Sequence, residues 1–458
     1  MGIGDLPFPS SPAPRRSAGL ASLLALALAN AACERVEEIR EQHRPATPHE
    51  AYEAALIAAG LAGTALARDW SLAAERAIRD ALPVEPPYHE VGYLPPEEPT
   101  AIGYRISARR GQRLIVEARL EPDSTALLFI DLFQLFEDAT RTPRRVASAD
   151  SGARRLEYEP RRDGEYVLRL QPELLRGGRF TVTVRGAAIL AFPVAGGDAD
   201  DVWSVFGDPR DGGARDHHGV DIFAPRGTPV LAAVDGVVTR VRETPLGGKV
   251  IWLRDELRGH SLYYAHLDTQ LVAEGRRVRV GDTIGLVGNT GNARETLPHL
   301  HFGIYRRGAG PLDPYPFVDP REPAPPRIAI DTTLLGRWTR ARSDGIRLRA
   351  SPSEDAPRLD ALPRFTAMRV VGGSGGWYRV VLPDGRSGYV AARLMEGADR
   401  PVRSEVLADA RVVFDRPAPA AAVIERVNAG ETVPVLGRFG EFLYILAPDG
   451  RTGWLPAL

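Results

Sequence analysis

The spacing of apolar residues changes character several times along the chain. Thr47-Pro48-His49-Glu50 carries a helix-start pattern: Thr to cap, Pro at the first helical position, and Glu three residues after the cap. Apolar residues then recur at helical intervals through Tyr52, Leu56 and Ile57 as far as Gly60. Ser71 is placed to cap a further helix carrying Leu72, Ala73, Ala77 and Leu82, and the Pro-rich stretch from Pro83 to Pro99 reads as a linker. From about Ile102 to Val184 the period becomes two, as in Leu114, Val116, Ala118 and Leu120, in Tyr166, Leu168 and Leu170, and in Phe180, Val182 and Val184. Strands buried on one face are predicted there, with turns at Asp163-Gly164 and Gly177-Gly178, and they fit a β-sandwich.

Between roughly Asp198 and Pro320 the apolar runs are shorter. Asp235-Gly236 divides Val230–Val234 from Val237–Val241, and Gly281-Asp282 divides Val278–Val280 from Thr283–Val287. Lys249–Leu253 and Ser261–Leu267 form a further pair, so a compact, mostly antiparallel β domain is expected. The last third holds an internal repeat: Trp377 to Val390 reappears as Phe442 to Leu455, each copy with Pro-Asp-Gly-Arg at its centre. Asp-Gly between alternating apolar runs predicts a hairpin. Both copies resemble bacterial SH3-like domains, small β-barrels that bind cell-wall peptides or serve as packing partners. The sandwich resembles accessory domains beside secreted bacterial peptidases.

At 458 residues the chain is too long for one hydrophobic core. The fold class expected is mostly β and multidomain. Residues 1–33 read as an export signal, 34–88 as a helical region, 89–190 as the sandwich and 191–326 as the antiparallel β domain. Residues 327–397 and 398–458 read as the two barrels. Basic and acidic residues number 58 and 59, so no net field favours nucleic acid or an anionic membrane. Arg15 and Arg16 precede the apolar stretch Leu20–Ala29, which is too short to span a membrane as a helix. Small residues then lead to Cys33, the only cysteine. It resembles the acylated cysteine of a bacterial lipoprotein, although Asn30 stands where that signal usually has Leu. Ala29-Asn30-Ala31 also suits ordinary signal peptidase. Either cut implies export to the cell envelope, with periplasmic membrane attachment through a lipidated Cys33 in the first case. A lone cysteine leaves no disulfide within the chain.

Five of the nine histidines fall in three clusters: His217-His218-Gly219-Val220-Asp221, Tyr263-Tyr264-Ala265-His266-Leu267 and Pro298-His299-Leu300-His301-Phe302. On a strand, His299 and His301 share a face, which makes a natural half-site for a metal. Imidazole nitrogen and carboxylate oxygen suit Zn²⁺, and three protein ligands leave a fourth position for water. These residues resemble the LytM/lysostaphin family of zinc endopeptidases, which cleave peptidoglycan stem or cross-bridge peptides. The pattern is His-x3-Asp, then Tyr-x-His-Leu, then His-x-His before an aromatic residue, supported here by Ala224 to Val230 and Gly285 to Gly291. It covers roughly a quarter of the chain.

Carried over by position, the resemblance implies that His217, Asp221 and His301 are zinc ligands. It implies that His266 and His299 position the water and steady charge on the scissile carbonyl. No His-Glu-x-x-His base is present, so histidine must take that role. His218 competes with His217 for the ligand position, but His217 has the family spacing to Asp221. His260 reads as a solvated turn residue. Arg294 to Leu297 departs from the Gly-rich approach of many relatives. The Gly-x-x-Gly-x-x-Gly at 285–291 lacks a phosphate-loop ending and reads as turn chemistry. The alternative class is a non-hydrolytic envelope regulator of this fold, with the helical region a candidate to block the cleft. An adhesin is a third reading. A D-Ala-D-Ala carboxypeptidase would space its first His and Asp more widely and use a Glu base.

Overall fold

The computed structural model describes residues 46–121, 126–308 and 310–457, so the export signal and Cys33 lie outside the described residues. The chain falls into two compact units, Met1–Ala51 and Tyr52–Leu458. In the first, the capping signature forms as read: Thr47 N donates to Glu50 Oε2 at 2.9 Å and Glu50 N to Thr47 Oγ1 at 3.3 Å.

In the second unit the next helix is Ala65–Arg79, capped by Thr64 rather than Ser71. Thr64 Oγ1 accepts from Ala67 N at 3.2 Å, whereas Ser71 lies inside the helix and donates to Glu53. The helix buries Ala67, Trp70, Ala73, Ala74 and Ala77. Small residues let it lie close to the sheet beneath: a Cβ on Gly103 would stand 1.6 Å from the Ala77 carbonyl oxygen. Trp70 Nε1 donates to Pro172 O and Gln171 Nε2 to Trp70 O, both at 2.8 Å, tying the helix to the same sheet. Leu82 is not helical. It opens the strand Leu82–Val84, which pairs in parallel with Ile102–Ala108.

The predicted sandwich is present as two sheets around one core that includes Tyr104, Ile106, Val116, Leu132, Leu168 and Val182. The Pro83–Pro99 linker reading is overturned in its middle. Tyr88–Leu94 is a strand paired along its length with Gly178–Ala188. Its other edge meets the first repeat, Val91 opposite Gly373 and Gly92 opposite Gly372, so one eleven-stranded sheet runs through both regions. The seam is polar and buried. Arg379 donates from Nε to Glu90 Oε1 at 2.8 Å and brings Nη2 within 2.7 Å of that oxygen, while Tyr88 Oη donates to Glu90 Oε2 at 2.7 Å. Proline masks this strand because the prolines flank it and none lies within Tyr88–Leu94.

Both predicted Asp-Gly hairpins form, joining Trp377–Val381 to Ser387–Ala391 and Phe442–Leu446 to Thr452–Pro456. Among the described residues the strand pairing of each copy stays open at its ends and forms no closed barrel. Equivalent positions do equivalent work. Arg379 and Tyr389 of the first copy face Glu90 and Tyr88 of the sandwich. Their counterparts Tyr444 and Trp454 pack on Trp338 of the first copy, with ring centroids 5.2 and 5.6 Å away.

The region between sandwich and repeats is an eight-stranded antiparallel sheet with a second, three-stranded sheet against it. Along the large sheet run Val202–Ser204, Val220–Phe223, His299–Arg306, His260–Leu267, Gly248–Asp255, Gly236–Thr244 and Arg277–Val278, and Gly310–Leu312 pairs with His299–Arg306. The Lys249–Leu253 and Ser261–Leu267 runs pair as expected. His260 departs from its turn assignment: it opens a strand and is buried edge-on to Phe317, 5.6 Å between centroids.

Candidate active site

The large sheet brings together side chains far apart in sequence. Val220–Phe223 pairs with His299–Arg306 so that Asp221 lies opposite His301, and Ala265 flanks His301 on the other side. Alternation decides the faces. Val220, Ile222, Leu300 and Phe302 are fully buried in the core, while Asp221, His299 and His301 point the other way, into a cleft of about 300 Å³.

His217 reaches the same point from the loop before its strand. His217 Nε2 lies 3.0 Å from Asp221 Oδ1 and 2.9 Å from His301 Nδ1, and His301 Nδ1 lies 2.9 Å from Asp221 Oδ1. The three atoms form a nearly equilateral triangle. His217 Nδ1 faces the Val205 carbonyl at 2.8 Å, which can only accept, so Nδ1 carries the proton and Nε2 offers a lone pair. Burial lowers the pKa of His301 despite its bond to Asp221. Burial raises that of Asp221, but its contacts with His217 and His301 outweigh it and hold the carboxyl well below its usual range. Lone pairs thus converge with at most the His301 Nδ1 proton between them, an arrangement a cation relieves. Two imidazole nitrogens and one carboxylate oxygen at this spacing fit zinc, whose bonds to such atoms are about 2.0–2.2 Å. Gly219 keeps the triangle clear: a Cβ there would lie 2.6 Å from His301 Cε1. His218 is exposed and faces Phe206 instead.

His266 reaches the cleft by a route that alternation does not predict. Its neighbour Tyr264 is a core residue, and a regular strand would send His266 the same way. Instead His266 has φ 60°, a left-handed conformation costing about 1–2 kcal/mol in a residue with a side chain. It is held there from both sides. His266 N donates to Gly247 O at 2.8 Å, and Nδ1 lies 2.9 Å from Thr290 O. The turn carries the ring over to His299, 5.0 Å away between centroids. Burial, then the charges of His299 and His301, push its pKa down to about 4. His299 is oriented in a similar way, with Nδ1 2.8 Å from Leu297 O and Nε2 4.0 Å from Asp221 Oδ1. In both rings Nε2 is the nitrogen left to the cleft.

Several cleft residues escaped sequence reasoning. Trp203 stacks on Phe223 at 4.5 Å, and Phe223 stacks on His299 at 4.9 Å. Arg210 lies 2.6 Å from Asp221 Oδ2. The only available signal was proximity in sequence to His217, since neither Trp nor Arg announces a site alone. The glycine series at 285–291 allows close backbone packing beside the cleft. Gly291 has φ 74°, and a Cβ on it would lie 2.3 Å from Gly248 N. Neither residues 52–58 nor the helix Ala65–Arg79 line the cleft, so within this unit the candidate blocking helix is not found among the described residues.

Residues 215–314 match Peptidase family M23, and residues 344–396 match the bacterial SH3 domain. The peptidoglycan DD-endopeptidase ShyC of Vibrio cholerae is 42% identical over 100 residues, 22% of each chain. The L-Ala--D-Glu endopeptidase of Bacillus subtilis is 38% identical over 126 residues, 25% of this chain and 38% of that one. Among solved structures, the lysostaphin catalytic domain of Staphylococcus simulans is 34% identical over 25% of this chain and 87% of its own, with a TM-score of 0.23. The chain thus spans about a fifth of the length of the first curated relatives it matches. It carries a peptidase domain of family M23 at residues 215–314 and a bacterial SH3 domain at residues 344–396.

Proposed function

We propose that this protein is a zinc-dependent endopeptidase that hydrolyses peptide bonds in peptidoglycan stems or cross-bridges. His217, Asp221 and His301 hold the metal, and His266 and His299 serve the reaction. The observation that carries this reading is the triangle of converging lone pairs, with two further oriented imidazoles beside it. Zinc, when bound, supplies Lewis acidity and a water ionising near neutral pH. A neutral imidazole at Nε2 of His266 accepts the proton of the attacking water, and a protonated one meets the charge developing on the carbonyl oxygen or returns the proton to the leaving amine. The Nδ1 contacts to Thr290 and Leu297 fix the tautomers this requires. Named relatives act on peptidoglycan, which supports the substrate class and an extracytoplasmic site of action. Export with lipidation at Cys33 belongs to the same proposal, as do the domain limits read from the sequence.

The test is zinc content and muropeptide release by the mature chain, beside His301→Ala. One zinc and release that the variant loses are expected. Bound zinc without release would favour the regulator, and no zinc would overturn the ligand assignment.

A further inference from the structure

The segment Ser204 to Arg210 grips both the first His and the Asp of the triangle. His217 N donates to Asp208 O and Gly207 N donates to His217 O, each at 2.9 Å. Val205 O accepts a hydrogen bond from His217 Nδ1. Arg210 Nη2 donates to Asp221 Oδ2 at 2.6 Å and to Ser204 Oγ at 2.5 Å, and Ser204 Oγ in turn donates to Asp208 Oδ2 at 2.9 Å. The two oxygens of Asp221 are therefore divided: Oδ1 faces the two imidazoles and Oδ2 faces the guanidinium.

We propose that Arg210 is a positioning residue that keeps Asp221 a one-oxygen ligand, and so keeps a coordination position free for water. This rests on the metal reading above. A carboxylate that turned both oxygens to zinc would occupy the position that a hydrolytic site leaves open. A charge-assisted bond to Oδ2 opposes that turn, and such bonds are short and about twice as strong as neutral ones. The Asp221 side chain is only 10% exposed, so water competes weakly for Oδ2. Lysine would keep the charge but carries it as a strongly hydrated point donor on a flexible stem, in place of one guanidinium nitrogen held between Asp221 and Ser204.

The experiment replaces zinc with cobalt(II) in the mature chain and reads the visible absorption bands, whose intensity drops as coordination rises from four to five. It is run on the wild type, Arg210→Gln, Arg210→Lys and Ser204→Ala, with zinc affinity measured by competition against a chromophoric chelator. Arg210→Gln is expected to weaken the bands and lower zinc affinity about 10–100-fold, with kcat falling more than KM. Arg210→Lys recovers affinity in part. Ser204→Ala keeps the guanidinium and loses one prop, so it shifts the bands in the same direction by less. If Arg210→Gln does not fold, Ser204→Ala decides. Wild-type bands and affinity in the folded variants would overturn the proposal while leaving the metal reading intact. A wild type that binds neither metal would remove the metal reading itself.

Discussion

Two buried polar clusters in this chain contain a carboxylate and an arginine, and they are built to opposite ends. At the seam between sandwich and first repeat, Glu90 is fully buried, and its two oxygens are met by Arg379 and by the Tyr88 hydroxyl. Both oxygens of Glu90 therefore meet donors, and its charge is compensated within the seam by Arg379. In the cleft, Asp221 has Arg210 on one oxygen only. The other shares its space with two imidazole nitrogens that have too few protons to satisfy it. Both places set an arginine against a carboxylate, the cleft pair being the more exposed of the two. What distinguishes a candidate site from a structural seam is the proton balance.

The sharpest way to break this comparison is to remove a donor from the open cluster. Asp221→Asn or His301→Ala is expected to cut muropeptide release by a factor on the order of 10³ or more, the several kcal/mol that metal activation supplies. The unfolding midpoint of the metal-free protein should move little. Loss of folding in both variants would show that the cleft cluster is structural after all. The closed cluster should behave in reverse. Glu90→Ala strands a buried guanidinium and is expected to cost about 3–5 kcal/mol of stability in urea, with turnover per folded molecule unchanged. Glu90→Gln with Arg379→Met should recover most of that loss, because the uncompensated charge is gone. A third measurement joins the two. Zinc at about 1,000 times its dissociation constant should stabilise the wild type and Glu90→Ala alike by about 4 kcal/mol, and His301→Ala not at all. Zinc dependence that survived in His301→Ala would place the metal elsewhere.

How much of this was legible beforehand follows from which interactions are local. The capping box at Thr47 and the hairpins at Asp384-Gly385 and Asp449-Gly450 are short-range, and they formed where the residues said. The pairing of Asp221 with His301 was accessible because each lies in a short motif with its own spacing. The seam strand Tyr88–Leu94 was not, since its partners Gly178–Ala188 and Ala367–Ser374 are distant in sequence and its flanking prolines argue for a linker. His266 could be named only by resemblance, because strand alternation sends it into the core and a backbone turn imposed by Gly247 and Thr290 reverses it. Arg210 had no signature at all. Its role depends on which oxygen of Asp221 faces outward, and that is set by packing.

The smallest expected effect concerns where the open cluster ends. The seam stops at its own tyrosines, whereas the cleft continues as stacked rings from His299 through Phe223 to Trp203, a residue 64% exposed. Trp203 Nε1 donates to Asp200 O at 3.0 Å, so the ring is held in place and one of its faces is stacked on Phe223. A substrate segment crossing the cleft toward His299 would cover that exposed surface. Removing about 50 Å² of apolar area from water is worth about 1.3 kcal/mol at 25 cal/mol per Å², or nearly tenfold in affinity. Trp203→Ala should therefore raise KM for cross-linked muropeptides several-fold with kcat within about twofold, and Trp203→Phe should recover most of the loss. The stack also steadies Phe223 against His299, so a fall in kcat with KM unchanged would mean that the ladder orients the histidine and does not receive the substrate.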